Sequence, residues 1–541
     1  MRSGWYLLNF IRSTIAIMKD RSFTCIIFFA IFCSLSLFSC NAGTQQDGYQ
    51  LGSIAFDVSG KDEAKPAFQK ALLLLHSFEY ADAAEAFREA ITIDPDMAMA
   101  YWGEAMTCIH PLWQEQDVDK GRAILNELAP TPEERMNKAG SEMEKDLLRG
   151  VEILYGEGNK VVRDSSYAAF MASLHKKYPG SDEVACFYSL SLIGWAVTSR
   201  SLSVSEDAAQ IALGVLDRNP QHPGALHYVI HAWDHPEHAA KALATANKYA
   251  GVAPDAGHAL HMPTHTYLAL GMWNEVVWSN EVSWAADMAR RDRKQLNNDA
   301  LSYHSYHWLQ YGALQKGDRA RAKRMLDSMF YFAAAQPSPK ARSHQVLMQT
   351  TYLAETNDLT EETVAMPYES KDLNVGLRAA QYFVQGLFAF EKGDHQGMET
   401  IIRTMTAERL VEADRVLDGG LRMCGNINRS LPTRTNLLES ETMEAELRYL
   451  LASLSRNDGE AERWLKKACD LQAAIGYAYG PPNIVKPPNE LYGEWLLEKG
   501  RSAEAIAQFD VAMSYSPNRL HSVKGKQLAE RSLKDASIAV K

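Results

Sequence analysis

The chain has 541 residues, of which 46% are hydrophobic and 23% charged, and its formal net charge is −11. This is a globular composition, not a disordered one, with enough apolar material for one long core or several smaller ones. Mild acidity without a basic run or stripe argues against nucleic acid as a partner.

The N-terminus reads as a targeting segment. Lys19 and Arg21 precede the apolar run CIIFFAIFCSLSLF at 25–38, and small Ser39 stands before Cys40. The run is shorter than the roughly 20 residues a membrane-spanning helix needs. Leu37-Phe38-Ser39-Cys40 resembles a bacterial lipobox. That resemblance implies cleavage before Cys40, diacylation of its thiol, and a mature lipoprotein anchored in a membrane of the bacterial cell envelope, facing the periplasm or the exterior. Met18 offers an alternative start, since MKDRSFTC followed by the apolar run is a complete leader. Residues 1–39 are thus expected as signal peptide and 40–60, polar and Gly-rich, as a flexible tether. Cys108, Cys186, Cys424 and Cys469 remain in the mature chain without a CxxC pair, and their apolar helical contexts favour buried free thiols over disulfides.

From about residue 62 onward apolar residues recur at helical spacing, with no sustained period-two alternation. The expected fold is all-α. Two units are clearest, FEYADAAEAFREAITIDPDMAMAYWGEA (78–105) and LYGEWLLEKGRSAEAIAQFDVAMSYSPNR (491–519). Ala83, Phe87, Ala90 and Pro95 in the first, and Gly493, Ala505, Phe509, Ala512 and Pro517 in the last, carry the marks of the tetratricopeptide repeat (TPR). Small residues let two antiparallel helices approach, Phe fills the groove between them, and Pro ends the second helix. Weaker copies start at Tyr267, Trp308, Phe383 and Leu450, and the turns LGMWNE, QKGDRA, EKGDHQ and EKGRSA place Gly where a left-handed residue is needed. Residues 61–541 are therefore expected to form a TPR-like, right-handed α-solenoid whose concave face binds a protein or small-molecule ligand.

Eight of the sixteen histidines fall between His222 and His265, in the runs HPGALHYVIHAWDHPEH and HALHMPTH. Imidazole is the commonest metal ligand, so chemistry is sought there first. His227 and His231 are one helical turn apart and can meet one cation. Asp234 continues their stripe, either as a further ligand or as the N-cap of the next helix. His258, His261 and His265 lie around Pro263, which must start or kink a helix. His304 and His307 share a helix face farther on. The candidate ligand set for a divalent transition metal is His227, His231, Asp234, His258, His261, His265 and His304. The competing reading is a buried polar network across the repeat stack. His110, His175, His344, His395 and His521 are expected as isolated side chains outside any site.

HExxH, GxSxG, P-loop and dinucleotide patterns are absent, so no hydrolase, kinase or dehydrogenase assignment follows from motif. HPGALHYVIHAWDHPEHA, HALHMPTH, LGMW and GPPNIVKPPNELYGEWLL, with HSFEYADAAEAF and AMAYWGEAM, together resemble a family of bacterial tetratricopeptide repeat proteins, often exported. The likeness spans most of the mature chain. It implies an α-solenoid and carries no activity and no catalytic residues. Two functions follow as expectations: a tethered repeat protein that binds a partner or ligand, or a metal-dependent enzyme built on His227, His231, His261 and His265.

Overall fold

Six turns set the repeat. Gly271, Gly317, Gly393 and Gly500 all have positive φ, between 66° and 80°. Each closes a helix by donating its N–H three residues back while the next residue reaches five back, as in Gly317 N to Leu314 O and Asp318 N to Ala313 O. Phe78 (φ 57°) and Arg456 (φ 54°) hold the same turn without a glycine. The computed structural model describes residues 49–199, 202–365, 370–416 and 432–539. The leader, Met18, Cys40 and Cys424 lie outside the described residues.

The structure is all-α, built from hairpins of the TPR type. Lys65–His76 pairs with Tyr80–Ile93 and Pro488–Glu498 with Ser502–Tyr515, as the two clearest units require. Ala83, Phe87 and Ala90 are buried, as are Ala505, Phe509 and Ala512. A Cβ on Gly103 would come within 2.2 Å of the Phe87 ring, and one on Gly493 within 2.8 Å of Phe509. The glycines thus allow the close approach that each Phe then fills.

The helices sort into two layers by burial. Ala239–Val252 buries only Ala239, Ala242, Thr245, Ala246, Tyr249 and Val252, the single stripe of a surface helix. Pro223–Ala232 and Pro263–Ala269 are buried along their entire length, and Tyr303–Gln315 nearly so. These inner helices should line the concave face, yet other segments cover them. The inner surface is largely filled core, and its open part is the cleft described below.

Three irregular segments pack against the helices. Residues 50–60, expected within a flexible tether, belong to the folded unit: Leu51, Phe56 and Val58 are buried, and Ser53 N donates to Gln221 O at 3.0 Å. Their alternating apolar residues are few and spaced among glycines, which hides them in composition. Residues 107–117 form a loop with a two-residue antiparallel pair, Ile109–His110 with Glu115–Gln116, the only strands among the described residues. Residues 476–488 bring Gly480, at φ 126°, against Trp308, where a Cβ would lie 2.6 Å from the indole.

The C-terminal hairpins are locked on by a buried charge network. Arg519, fully buried, donates to both oxygens of Glu490 at 2.8 and 3.0 Å and to Tyr311 Oη at 3.0 Å, and pairs with Glu355 at 2.5 Å. Lys486, from the KPPNE stretch, stands 3.3 Å from Glu490. Burial alone would raise the Glu490 carboxyl, but Arg519 and Lys486 hold it well below the usual carboxylate range. Cys108 and Cys186 are buried free thiols and Cys469 is half-buried. Among the described residues no helix is long and apolar enough to cross a membrane.

Candidate metal centre

His222 caps the helix Pro223–Ala232, its Nδ1 accepting from Ala225 N at 3.2 Å. Pro223 at the first turn fixes the start, and the helix ends at Ala232, before His235-Pro236 and the next helix from Ala239. His227 and His231 then project one turn apart, with ring centroids 4.8 Å apart. The second run is split as expected by Pro263 into Gly257–His261 and Pro263–Ala269. His304 comes from the first turn of Tyr303–Gln315, which Ser302 caps.

Two triads result. One ring nitrogen each of His227, His231 and His258, and likewise of His261, His265 and His304, lie within 4.8 Å of one another. The triads touch: His231 and His265 centroids are 5.4 Å apart, and His258 and His261 6.0 Å. All six histidines named from sequence converge, together with Asp234, which groups with His231 and His265. Asp234 does not cap the next helix, whose N-cap is His238. Its Oδ2 instead accepts from His265 Nδ1 at 2.6 Å.

The outward-turned nitrogens are anchored. His227 Nδ1 donates to the His76 carbonyl at 2.7 Å, and His261 Nδ1 to Asn280 Oδ1 at 2.6 Å, while Asn280 Nδ2 in turn donates to Val276 O at 2.9 Å. A donor at Nδ1 fixes the tautomer and leaves Nε2 with its lone pair facing inward. Nε2 of His227, His258, His261 and His304, and both ring nitrogens of His231, are buried and have no hydrogen-bond partner. Native proteins seldom leave buried polar atoms in this state, and six such nitrogens lie together here.

Burial keeps these rings neutral. It pulls His227 and His261 down to about 3, and His231, His258 and His304 well below the ordinary imidazole value, with the neighbouring histidines adding to the effect. Neutral imidazole is the form that binds metal. The walls are aromatic: the Phe78 ring lies 4.2 Å from His227, and Trp308 lies 4.5 Å from His265 and 5.0 Å from His261.

A cleft of about 360 Å³ reaches the triads, and each presents one half-buried ring to it, His258 from the first and His304 from the second. Glu79, Trp113, Asp287 and Arg290 also line it. Glu79 Oε1 accepts from His258 N at 2.9 Å, and Arg290 is held by Asp82, its Nε donating at 2.9 Å. Burial, then the nearby Glu79, pushes the Asp287 carboxyl up to about 7, and burial raises Glu79 as well.

Sequence reasoning missed part of this wall. Asp287 and Arg290 sit on a long amphipathic helix, Trp273–Lys294, with no motif to mark them. His110 and His344, expected as isolated, both line the cleft. His344 repeats the ligand-like pattern: its Nδ1 donates to Lys340 O at 2.9 Å and its Nε2 is buried without a partner. His307, on the same helix as His304, turns away to Thr351 Oγ1 at 3.1 Å.

A third cluster behind the first triad is saturated. His76 Nε2 and His222 Nε2 both hydrogen-bond Glu183, at 2.6 and 3.2 Å, and His76 Nδ1 meets Tyr228 Oη at 2.9 Å. Burial would raise Glu183, yet the two histidines hold it well below its ordinary value. With its nitrogens used internally, this cluster serves to fix His76, whose carbonyl orients His227.

No family model matches the chain, and no curated protein matches it. Among solved structures it is similar to yeast Tom70, with 11% identity, 88% of this chain and 90% of that chain covered, and a TM-score of 0.32. The APC/C hetero-tetramer Cut9-Hcn1 gives 14% identity over 93% of this chain and 81% of that chain, with a TM-score of 0.33. The P58(IPK) TPR domain gives 13% identity over 88% and 99%, with a TM-score of 0.20. Such likeness bears on fold alone; the hairpin packing described above establishes the TPR character independently.

Proposed function

We propose that this chain is a metal-dependent enzyme of the bacterial cell envelope, tethered through lipidated Cys40, which holds transition metal in the two histidine triads and takes a small molecule into the adjoining cleft. One observation carries the reading. Five histidines, His227, His231, His258, His261 and His304, turn partnerless buried nitrogens toward each other, while His227, His261 and His265 have their other nitrogen tied to a carbonyl, an amide and a carboxylate. The neighbouring His76–Glu183–His222 cluster, by contrast, uses its ring nitrogens internally.

With three imidazoles each, the sites keep positions open for substrate, so a bound metal would supply Lewis acidity or activate a ligand. The chain's own contribution is the cleft. Asp287, with its carboxyl poised near neutrality, is suited to accept or return a proton there, and Glu79 fixes the His258 backbone.

Partner binding falls to the outer surface, where Trp278, Tyr331, Leu410 and Val411 are more than half exposed on outer helices. A protein partner there is compatible with the enzyme reading, since it uses none of the histidines.

Elemental analysis of the purified mature chain, from residue 41 onward, beside the His227→Ala/His261→Ala double variant tests the proposal. Near-stoichiometric metal, lost in the folded variant, is expected. No metal in either after loading with zinc, copper and iron overturns it.

A further inference from the structure

Resting on the metal reading above, we propose that the centre is dinuclear and takes a pair of copper ions, one in each histidine triad.

Nuclearity follows from the geometry. Six imidazoles form two groups of three that share no ring, while His231 and His265 also group with Asp234. Three nitrogens around one ion make a complete low-coordinate shell with room for an exogenous ligand, whereas six rings from four helices around a single ion would need the triads to interpenetrate. They abut instead, with His231 against His265 and His258 against His261. Both ions would open on the same cleft, the first past His258 and the second past His304.

The choice of metal follows from donor type and charge. Every donor in the two triads is an imidazole nitrogen. The carboxylate beside them, Asp234, already accepts from His265 Nδ1. Calcium, magnesium and manganese prefer oxygen donors, and non-haem iron sites of this openness carry a carboxylate among their ligands. Imidazole suits copper, zinc and nickel, and copper heads the affinity order among divalent ions. Two divalent ions on six imidazoles would bring four positive charges into a buried chamber walled by Phe78 and Trp308, where desolvation is costly. Two copper(I) ions halve that charge. Among the metals imidazole binds well, copper has the accessible monovalent state and tolerates three-coordination. Two one-electron metals side by side suit reactions that move electrons in pairs.

The test uses the metal-stripped mature chain, titrated with copper(I) without air and, separately, with zinc(II), followed by desalting and elemental analysis. Two copper ions per chain are expected, falling to one in His227→Gln and one in His304→Gln, with zinc displaced by equimolar copper. Loaded with copper(II), the native protein should show a spin-resonance signal per copper several-fold weaker than either variant, because neighbouring cupric ions couple. The native stoichiometry and spin signal stand even if a variant misfolds. One copper per chain, or two with full uncoupled signals, overturns the pair while leaving a metalloprotein. Zinc retained against copper overturns the metal assignment only. No metal of any kind overturns the proposed function as well.

Discussion

The rings of Phe78 and His227 meet at a 57° tilt with centroids 4.2 Å apart, and Phe78 makes that contact from a left-handed backbone, φ 57°, where four equivalent turns use glycine. A bulky residue in this region is strained by roughly 1–2 kcal/mol. The strain sits beside the site, where Phe78 also packs over His231 and His258, as functional strain commonly does. Phe78→Gly and Phe78→Ala both remove the ring, but only glycine relieves the backbone. The glycine variant should therefore be the more stable of the two by about 1 kcal/mol in urea unfolding. Equal stability, or a more stable alanine variant, would show that the turn is not strained.

The repeat turns differ in what surrounds them. At Gly317 a Cβ meets nothing within 4 Å, whereas at Gly271 it would stand 2.3 Å from the Pro517 carbonyl. Gly317→Ala should cost about 1–2 kcal/mol from its left-handed backbone alone. Gly271→Ala should cost clearly more, because the C-terminal segment must move. Matched denaturation curves decide this, and similar losses would contradict the close packing at Gly271.

Asn280 touches no cleft atom, yet it aims His261 through the 2.6 Å hydrogen bond to Nδ1. Removing such a support typically weakens metal affinity about 10- to 100-fold. Asn280→Leu should show that loss in a chelator competition while retaining the metal-free fold. Unchanged affinity would mean that packing, not the amide, orients His261.

Metal-free protein should be acid-sensitive. Burial holds His227, His261 and His307 down to about 3 and His344 to about 4, against 6.5 for an exposed ring. Folded values below unfolded ones mean that the unfolded chain binds more protons between those limits. The stability they give is present above pH 6.5 and lost as pH falls toward 3, by up to about 1.4 kcal/mol per pH unit for each ring. Asp287 acts oppositely: its carboxyl, raised to about 7, favours the fold at low pH and loses that contribution as pH rises from 3.8 to about 7. Four rings outweigh one carboxyl. Urea midpoints should fall from pH 7 to pH 5, and a flat profile would contradict neutral buried histidines.

Arg519 and Glu490 are both fully enclosed. Breaking a buried pair by removing one partner costs about 3–5 kcal/mol. Arg519→Met should lose that much, and adding Glu490→Leu should recover part of it. A loss under about 1 kcal/mol would place the C-terminal lock elsewhere.

Much of this was legible in sequence because its signals are local. Gly317 or Gly500 after a helical stripe, and Phe87 between Ala83 and Ala90, depend on neighbours a few residues away. The one-turn spacing of His227 and His231, and the break at Pro263, are equally local. What the sequence hid is long-range. Asp287 reaches the cleft beside Glu79 across about two hundred residues, and Trp308 is pressed on the triad by Gly480 from a loop with no helical period. His344 looked isolated because its companions come from other helices, and His307 shares a face with His304 on paper, yet three residues of helix turn it toward Thr351. Residues 50–60 and 107–117 pack against the helices through irregular backbone, for which periodicity gives no warning.

The most direct test of the metal centre is anomalous X-ray scattering from crystals of the metal-loaded chain from residue 41 onward. The account predicts anomalous peaks ringed by ring nitrogens of His227, His231 and His258 and of His261, His265 and His304. Anomalous maps featureless at the triads, with the imidazoles hydrogen-bonded to one another or to ordered water, would contradict it and leave the histidines as repeat-stack architecture.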